Sequence, residues 1–189
     1  MNILKARVAA AVSVFCFGNC LAETYTIDSQ HTFPSFEISH IGFSIQRGRF
    51  DRTSGTIMLD AKNETGSIQV HIDATSIDTG LAELEAKLKG VDFFNTVKFP
   101  TISFNSNKIK FTGDIPVAAE GELTLLGTSR PVLLAIEHFH CGIHPFSQRA
   151  ICGADAKGQI KRSDFGMTAL LPAIGNEVKL NIQVEAYLD

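Results

Sequence analysis

The sequence predicts an all-β fold in which about eight antiparallel strands close into a barrel with one inserted α-helix. Three observations carry this. Apolar and polar residues alternate with period two through most of the chain. Turn signals at Lys62-Asn63, Gly113-Asp114, Gly127 and Gly175-Asn176 punctuate the alternating runs. A single segment has helical spacing instead.

In chain order, Phe36, Ile38 and His40 share one strand face, with Glu37 and Ser39 on the other. The apolar parity shifts over 50–55, which signals a bulge. Ile68, Val70, Ile72 and Ala74 alternate with Gln69, His71 and Asp73. The helical segment, GLAELEAKLKG (80–90), places Leu81, Leu84 and Leu88 on one side; Thr79 or Asp78 can cap its start and Gly90 its end. Leu123 and Leu125 then alternate with Glu122 and Thr124, and Val132, Leu134 and Ile136 continue beyond Gly127. Val178, Leu180, Ile182 and Val184 alternate with charged and amide side chains at the C-terminal end. Closure removes the exposed edges that such strands would otherwise present, so a barrel is the simplest solution, with a β-sandwich as the alternative.

An eight-stranded barrel is wide enough for one small ligand. The proposed inward faces are apolar, and His40 is their sole ionisable side chain. Gly121, Ala154, Ala156 and Gly158 place small residues opposite Phe, Leu, Ile and Val, which leaves a cavity. A filled core is equally consistent with these residues alone.

The first residues are of another kind. Lys5 and Arg7 precede an uncharged, mostly apolar run (8–18), and Cys20-Leu21-Ala22 supplies small residues for cleavage after Ala22. This is the pattern of a secretory signal peptide over 1–22, followed by one domain over 23–189. The apolar run is too short to span a bilayer, which takes roughly 20 residues. A buried helix and a lipoprotein anchored at Cys20 are alternatives, though Asn19 suits the second poorly. The chain carries 17 Lys and Arg against 20 Asp and Glu, and without Lys5 and Arg7 the balance becomes −5. No basic run stands out, which argues against a nucleic-acid partner.

Two cysteines remain after cleavage, in HFHCGIHPFSQRAIC (138–152). In an oxidising compartment, on two strands of a hairpin, Cys141 and Cys152 are expected to form a disulfide. The competing reading is a metal site built from His138, His140 and His144, with Cys141 adding sulfur. Nucleophile-elbow, phosphate-loop and zinc-protease motifs do not occur, so enzyme readings are otherwise weak.

The order of motifs resembles the YceI-like, polyisoprenoid-binding family of bacterial exported proteins. The resemblance rests on YTIDSQHTFPSFEISHIGFS (25–44), GRF (48–50), SIDT (76–79), VDFFNTVKFPTISF (91–104), GELTLLGTSRPV (121–132), KRSDFGM (161–167) and NEVKLNIQVEA (176–186). It implies an extended, lipocalin-like, eight-stranded barrel whose apolar pore holds a long isoprenoid, a quinone tail or a fatty-acid amide. It implies a periplasmic, non-catalytic binding protein that needs no cofactor, and it is compatible with a homodimer. On this reading Phe36, Ile38, Phe43, Phe50, Phe93, Phe94, Phe104, Leu123, Leu125 and Phe165 line the pore. His31 and His40 are candidates for holding a polar head group, against a structural hydrogen bond from His31 to Asp28; Asp164 is read as pairing locally with Arg162 or accepting turn amides. The chain departs from the family pattern in its helix, which lacks the usual arginine and aspartate, and in its two cysteines. A stress-response protein with a filled core is the remaining alternative.

Overall fold

The computed structural model describes residues 22–189, so the leader pattern lies outside the described residues apart from Ala22. Eleven strand segments form one antiparallel sheet. They are β1 (Glu23–Ile27), β2 (Phe33–His40), β3 (Ser44–Phe50), β4 (Thr53–Asp60), β5 (Thr65–Asp73), β6 (Ile77–Asp78), β7 (Thr101–Thr112), β8 (Ile115–Leu125), β9 (Thr128–Ile143), β10 (Ala150–Lys161) and β11 (Ile174–Leu188). The pairs β1/β2, β3/β4 and β5/β6 are each one long stave with an interruption. Counted as staves the barrel has eight, all antiparallel to their neighbours, and it is closed.

Closure rests on β11. Its first half pairs with β2 (Leu180 opposite Phe36) and its last residues pair with β1 (Ile27 opposite Ala186), while β10 runs along its other side. The break between β3 and β4 falls at Asp51 and Arg52, where the parity shift predicts it. There Asp51 N–H donates to Ser76 O, and Arg52 N–H donates to Ser76 Oγ, at 3.1 and 3.0 Å.

Because the staves alternate in direction, the loops 41–43, 79–100, 126–127 and 162–173 gather at one end of the barrel, called here the upper end. The turns 61–64, 113–114 and 144–149 gather at the lower end. The predicted turn at Gly175-Asn176 is not one. Both residues lie inside β11, where the register with β2 shifts between Ile174 and Val178, and the chain reverses instead through 162–173.

The helix forms where its spacing predicts, as α1 (Ala82–Leu88) at the upper end. Its caps differ from expectation. Leu81 occupies the N-cap with no side-chain bond, Asp78 accepts from Gly80 N–H, and Glu85 reaches back to Thr79 N–H at 3.0 Å. The stop is at Lys89, whose N–H donates to Glu85 O. Among the described residues no helix is long and apolar enough to cross a membrane.

Inward residues divide into two apolar groups. The larger spans the upper and middle barrel and includes Phe50, Ile72, Phe104, Leu123 and Leu134. The smaller sits at the lower end around Tyr25, Ile27, Cys152 and Ala186. Three glycines on inward positions are notches for a neighbour's side chain. A Cβ at Gly48 would lie 2.6 Å from Phe36 Cζ, one at Gly121 2.6 Å from Phe104 Cζ, and one at Gly158 2.8 Å from Leu134 Cδ2. The small wall expected from Gly121 and Gly158 is therefore partly occupied; Ala154 and Ala156 are the small residues that border open space.

Gly55 has a different task. Its φ of +151° is one that L side chains rarely adopt, and a Cβ there would stand 2.0 Å from Gln69 O on the paired strand. Gly55→Ala is expected to cost about 2–3 kcal/mol in urea denaturation, through strain and a damaged β4–β5 ladder; a midpoint within error of the native protein would contradict this.

A cavity along the barrel axis

The alternation that builds the staves aims one side chain in two at the barrel axis. These side chains do not meet. They enclose a continuous cavity of about 590 Å³, within the range of small-molecule sites. Val178 and Ala186 of β11 both border it, so it runs for roughly 26 Å at about 3.3 Å per residue. The lower end is walled by Tyr25, Ile27, Ile109, Cys152 and Ala186, all buried. The upper end is bordered by exposed residues, Leu81 and Leu170 at 52% each together with Gln46, Arg47 and Lys87, and is therefore the mouth. There β3 has β2 on one side, but on the other side β6 pairs only with Arg49 and Phe50, which leaves Ser44 to Gly48 without a strand partner. The segment 79–100 covers this gap, with Leu81, Leu84 and Leu88 turned to the cavity.

Of the residues expected to line a pore, Phe36, Ile38, His40, Phe50, Phe93, Phe94, Phe104, Leu123 and Leu125 border the cavity. Three of them form an aromatic cluster near the mouth. The Phe50 and Phe94 rings meet edge to face at 5.5 Å, and Phe36 lies 6.1 and 6.4 Å from them. Such pairs add about 0.5–1.5 kcal/mol each beyond their burial.

Two expected residues lie elsewhere. Phe43 is 89% exposed. It follows Ile41 and Gly42, both with positive φ, so the chain has already turned over and strand parity no longer sets its direction. Phe165 is buried in the core but does not border the cavity. It belongs to the 3-10 turn Arg162–Phe165 beyond the end of β10, where period two has stopped. His31 is also outside. Its Nδ1 lies 2.8 Å from Asp28 Oδ2 on the outer surface, with Glu185 Oε2 at 4.0 Å. The hydrogen bond to Asp28 raises the His31 pKa, and the same bond helps hold the Asp28 carboxyl below its ordinary value against a desolvation penalty. Asp28, His31 and Glu185 are the one group of three potential metal ligands that converges among the described residues.

Among the described residues, the histidine-rich hairpin does not bring three potential metal ligands together. An irregularity opposite Asp155 and Ala156 inserts Glu137 into β9 and reverses the parity after it. Phe139 consequently borders the cavity, and His138 faces outward, 3.9 Å from Asp155. His144 Nδ1 accepts from the Phe146 and Ser147 N–H groups at 3.3 and 3.1 Å, closing the turn. Cys141 and Cys152 face each other across β9 and β10 with Cα atoms 4.0 Å apart, and they form the expected disulfide. Its Cys152 half is buried and borders the lower cavity.

Sequence reasoning missed the charged groups at the mouth. Arg47, Lys87 and Arg162 all border the cavity, although the inward faces are expected to be uncharged except for His40. Arg162 continues the inward parity of Ala154, Ala156, Gly158 and Ile160, and that signal could have found it. It does not pair with Asp164. Its guanidinium donates to Gly175 O, Met167 O and Ile174 O at 2.8, 3.1 and 2.9 Å.

A closed antiparallel barrel with one continuous apolar cavity, open at one end, is the architecture of a small-ligand-binding β-barrel. Its lineage follows from comparison with known proteins: the YceI-like domain model matches residues 25–186, and the chain belongs to that family. It is 37% identical over 175 residues to Protein YceI of Escherichia coli O17:K52:H18, covering 91% of each chain. It is likewise 37% identical over 187 residues to Protein YceI of Salmonella arizonae, covering 97% of this chain and 96% of the relative. Among solved structures, BcnA of Burkholderia cenocepacia superposes with a TM-score of 0.72 at 22% identity, over 85% of this chain and 99% of that one. A polyisoprenoid binding domain from Saccharophagus degradans superposes with a TM-score of 0.65 at 18% identity, over 87% and 98%. These two show the fold.

Two measurements probe the lower end. Residues 23–189, unfolded without reductant, should show no free thiol, and the Cys141→Ala/Cys152→Ala variant should lose roughly 3 kcal/mol of stability in the chain-entropy model; two titratable thiols would overturn the assignment. Tyr25 reports through pH. Burial first, and then its hydrogen bond to the Glu23 carboxylate at 2.5 Å and that group's charge, push its pKa up to about 12 from an ordinary 10.0. The neutral phenol is the form that the fold favours. Its contribution is thus intact below pH 10 and lost as pH rises toward 12. Tyr25→Phe should flatten the fall of urea stability over that window, and an unchanged slope would refute the linkage.

Proposed function

We propose that this chain is an exported, non-catalytic binding protein that carries a long-chain isoprenoid-type lipid, polyprenyl or quinone-like, in its barrel cavity. One observation carries the reading: the cavity is continuous, apolar along its walls and long, a shape suited to a chain rather than a compact metabolite. Transfer of apolar area from water supplies the affinity. At ~25 cal/mol per Å², a tail burying several hundred Å² gains on the order of 10 kcal/mol before ordering costs. No cofactor or metal is needed for such a task. The solved polyisoprenoid binding domain with the same fold supports the ligand class. The leader pattern over 1–22 and the disulfide support export to the periplasm.

Ala156 gives the test, because it borders the bore with only a methyl group. Native protein purified from its host and extracted with organic solvent should release a long-chain lipid at about one per chain by mass spectrometry. Ala156→Phe should keep the far-UV circular dichroism spectrum and lose at least about tenfold in affinity for a polyprenyl probe, roughly 1.4 kcal/mol. Native protein that neither releases a lipid nor binds the probe would sink the reading.

A further inference from the structure

The outer surface of the upper end is apolar in a way that the fold does not require. Its four loops make up less than a quarter of the described residues, yet they carry six of the twelve exposed large apolar side chains: Ile41, Phe43, Leu81, Val91, Val97 and Leu170. Single exposed apolar residues are ordinary, but their concentration at one end marks an interaction surface. Val97 is 96% exposed and Phe43 89%, so these two stand clear of the protein. The lower turns carry Phe146 alone, with Ile115 and Ile143 on the strand ends beside them.

Charge separates this end from the rest. Its loops carry Lys87, Lys89, Lys98 and Arg162 against Glu83, Glu85, Asp92 and Asp164, a balance of zero. The net charge of −5 over the described residues therefore lies wholly on the rest of the barrel. Lys87 and Lys98 are exposed and have no ion-pair partner among the described residues. Lys98 directly follows Val97, and its ammonium lies 5.0 Å from the centre of the Phe99 ring. An anionic surface repels the body of this protein and accepts its upper end. Apolar tips beside lysines are the chemistry of attachment to a bilayer interface.

The arrangement of the tips also favours a fluid partner. They stand on separate loops, and Phe43 leaves a turn in which Ile41 and Gly42 both have positive φ. A folded partner would have to present a socket for each tip, whereas acyl chains wet each one independently. Leu81 and Leu170 are half exposed and also border the cavity, so the apolar surface continues from the outside into the bore.

We propose that the upper end is a membrane-docking surface, in which Phe43, Val97 and their apolar neighbours enter the interface of an anionic phospholipid bilayer and Lys87 and Lys98 meet its phosphates. Its purpose rests on the carrier reading above: a docked barrel receives an apolar cargo from the acyl chains without passing it through water. Attachment through a few tips and two lysines is weak and reversible, as a carrier requires.

The experiment uses residues 23–189, which hold the whole closed barrel, and vesicles of equal parts phosphatidylglycerol and phosphatidylcholine, read by flotation. The native protein should float with them, several-fold less with phosphatidylcholine alone, and less as salt rises. Phe43→Ser/Val97→Ser should lose at least about tenfold in vesicle affinity, while its far-UV circular dichroism and its affinity for the polyprenyl probe stay near native. Phe146→Ser, which removes an aromatic 91% exposed at the lower end, should leave vesicle affinity unchanged. The chain has no tryptophan, so Val97→Trp supplies a single reporter. Its emission should shift to the blue on adding vesicles and be quenched by brominated acyl chains, and that of Phe146→Trp should do neither. Native protein that binds the polyprenyl probe but does not float would overturn the inference and leave the carrier reading standing; a dimer that only the upper-end variant dissolves would then assign the surface to a second copy. Equal losses from Phe146→Ser and the upper-end variant would also overturn it. Flotation by a protein that takes up no probe would overturn the carrier reading and leave the docking surface in place.

Discussion

The whole structure hangs on one strand holding two partners on the same edge. β11 pairs with β2 over its upper half and with β1 at its lower tip, and this double pairing turns an open sheet into a tube. Once the tube is closed, most of each stave is flanked on both sides, and side-chain parity becomes a radial coordinate. An inward residue faces the axis and an outward one faces water. The apolar bore, the polar exterior and the gathering of loops at one end all follow from that geometry.

Closure is complete around the lower barrel and incomplete at the top. β6 is only two residues long, so the first five residues of β3 have a strand on the β2 side alone, and a helix-bearing segment takes the place that a strand would have filled on the other. This one substitution separates a sealed end from an accessible one. The sealed end holds Tyr25 and the disulfide among buried aliphatic groups. The accessible end concentrates what is chemically distinctive: an aromatic cluster, a helix with no fully buried residue, and the cationic side chains Arg47, Lys87 and Arg162.

How far the sequence reveals this depends on whether a residue lies within a regular stave. Inside the staves, alternation identifies the inward residues well: Phe36 and Ile38, Ile68 through Ile72, Leu123 and Leu125, and Val178 through Val184 all border the cavity. Reading fails three or four residues past a strand end. Phe43 and Phe165 have the right chemistry, but the backbone there has left the extended region, so parity says nothing about direction. It fails also where a stave is locally irregular. Gly175-Asn176 looks like a turn because bulges and turns favour the same residues, and Glu137 reverses the facing of the histidines without any compositional sign. Arg162 shows a third kind of failure. Its parity is inward, yet a charged residue beside an aspartate reads as a surface pair, and only the three-dimensional arrangement shows it turned to carbonyls instead.

The glycine notches give the bore a property that no single residue holds. Phe36 lies over Gly48, Phe104 over Gly121 and Leu134 over Gly158, each side chain in the space that a β-carbon would need. The calibre of the tube is therefore written in couplets, one large residue and one absent side chain on adjacent staves. At these notches the two members change together, because enlarging the glycine alone drives its neighbour off the wall and into the lumen. Ligand width in such a barrel should accordingly drift in correlated steps, and a change at either member of a couplet is a change of gauge before it is a change of stability.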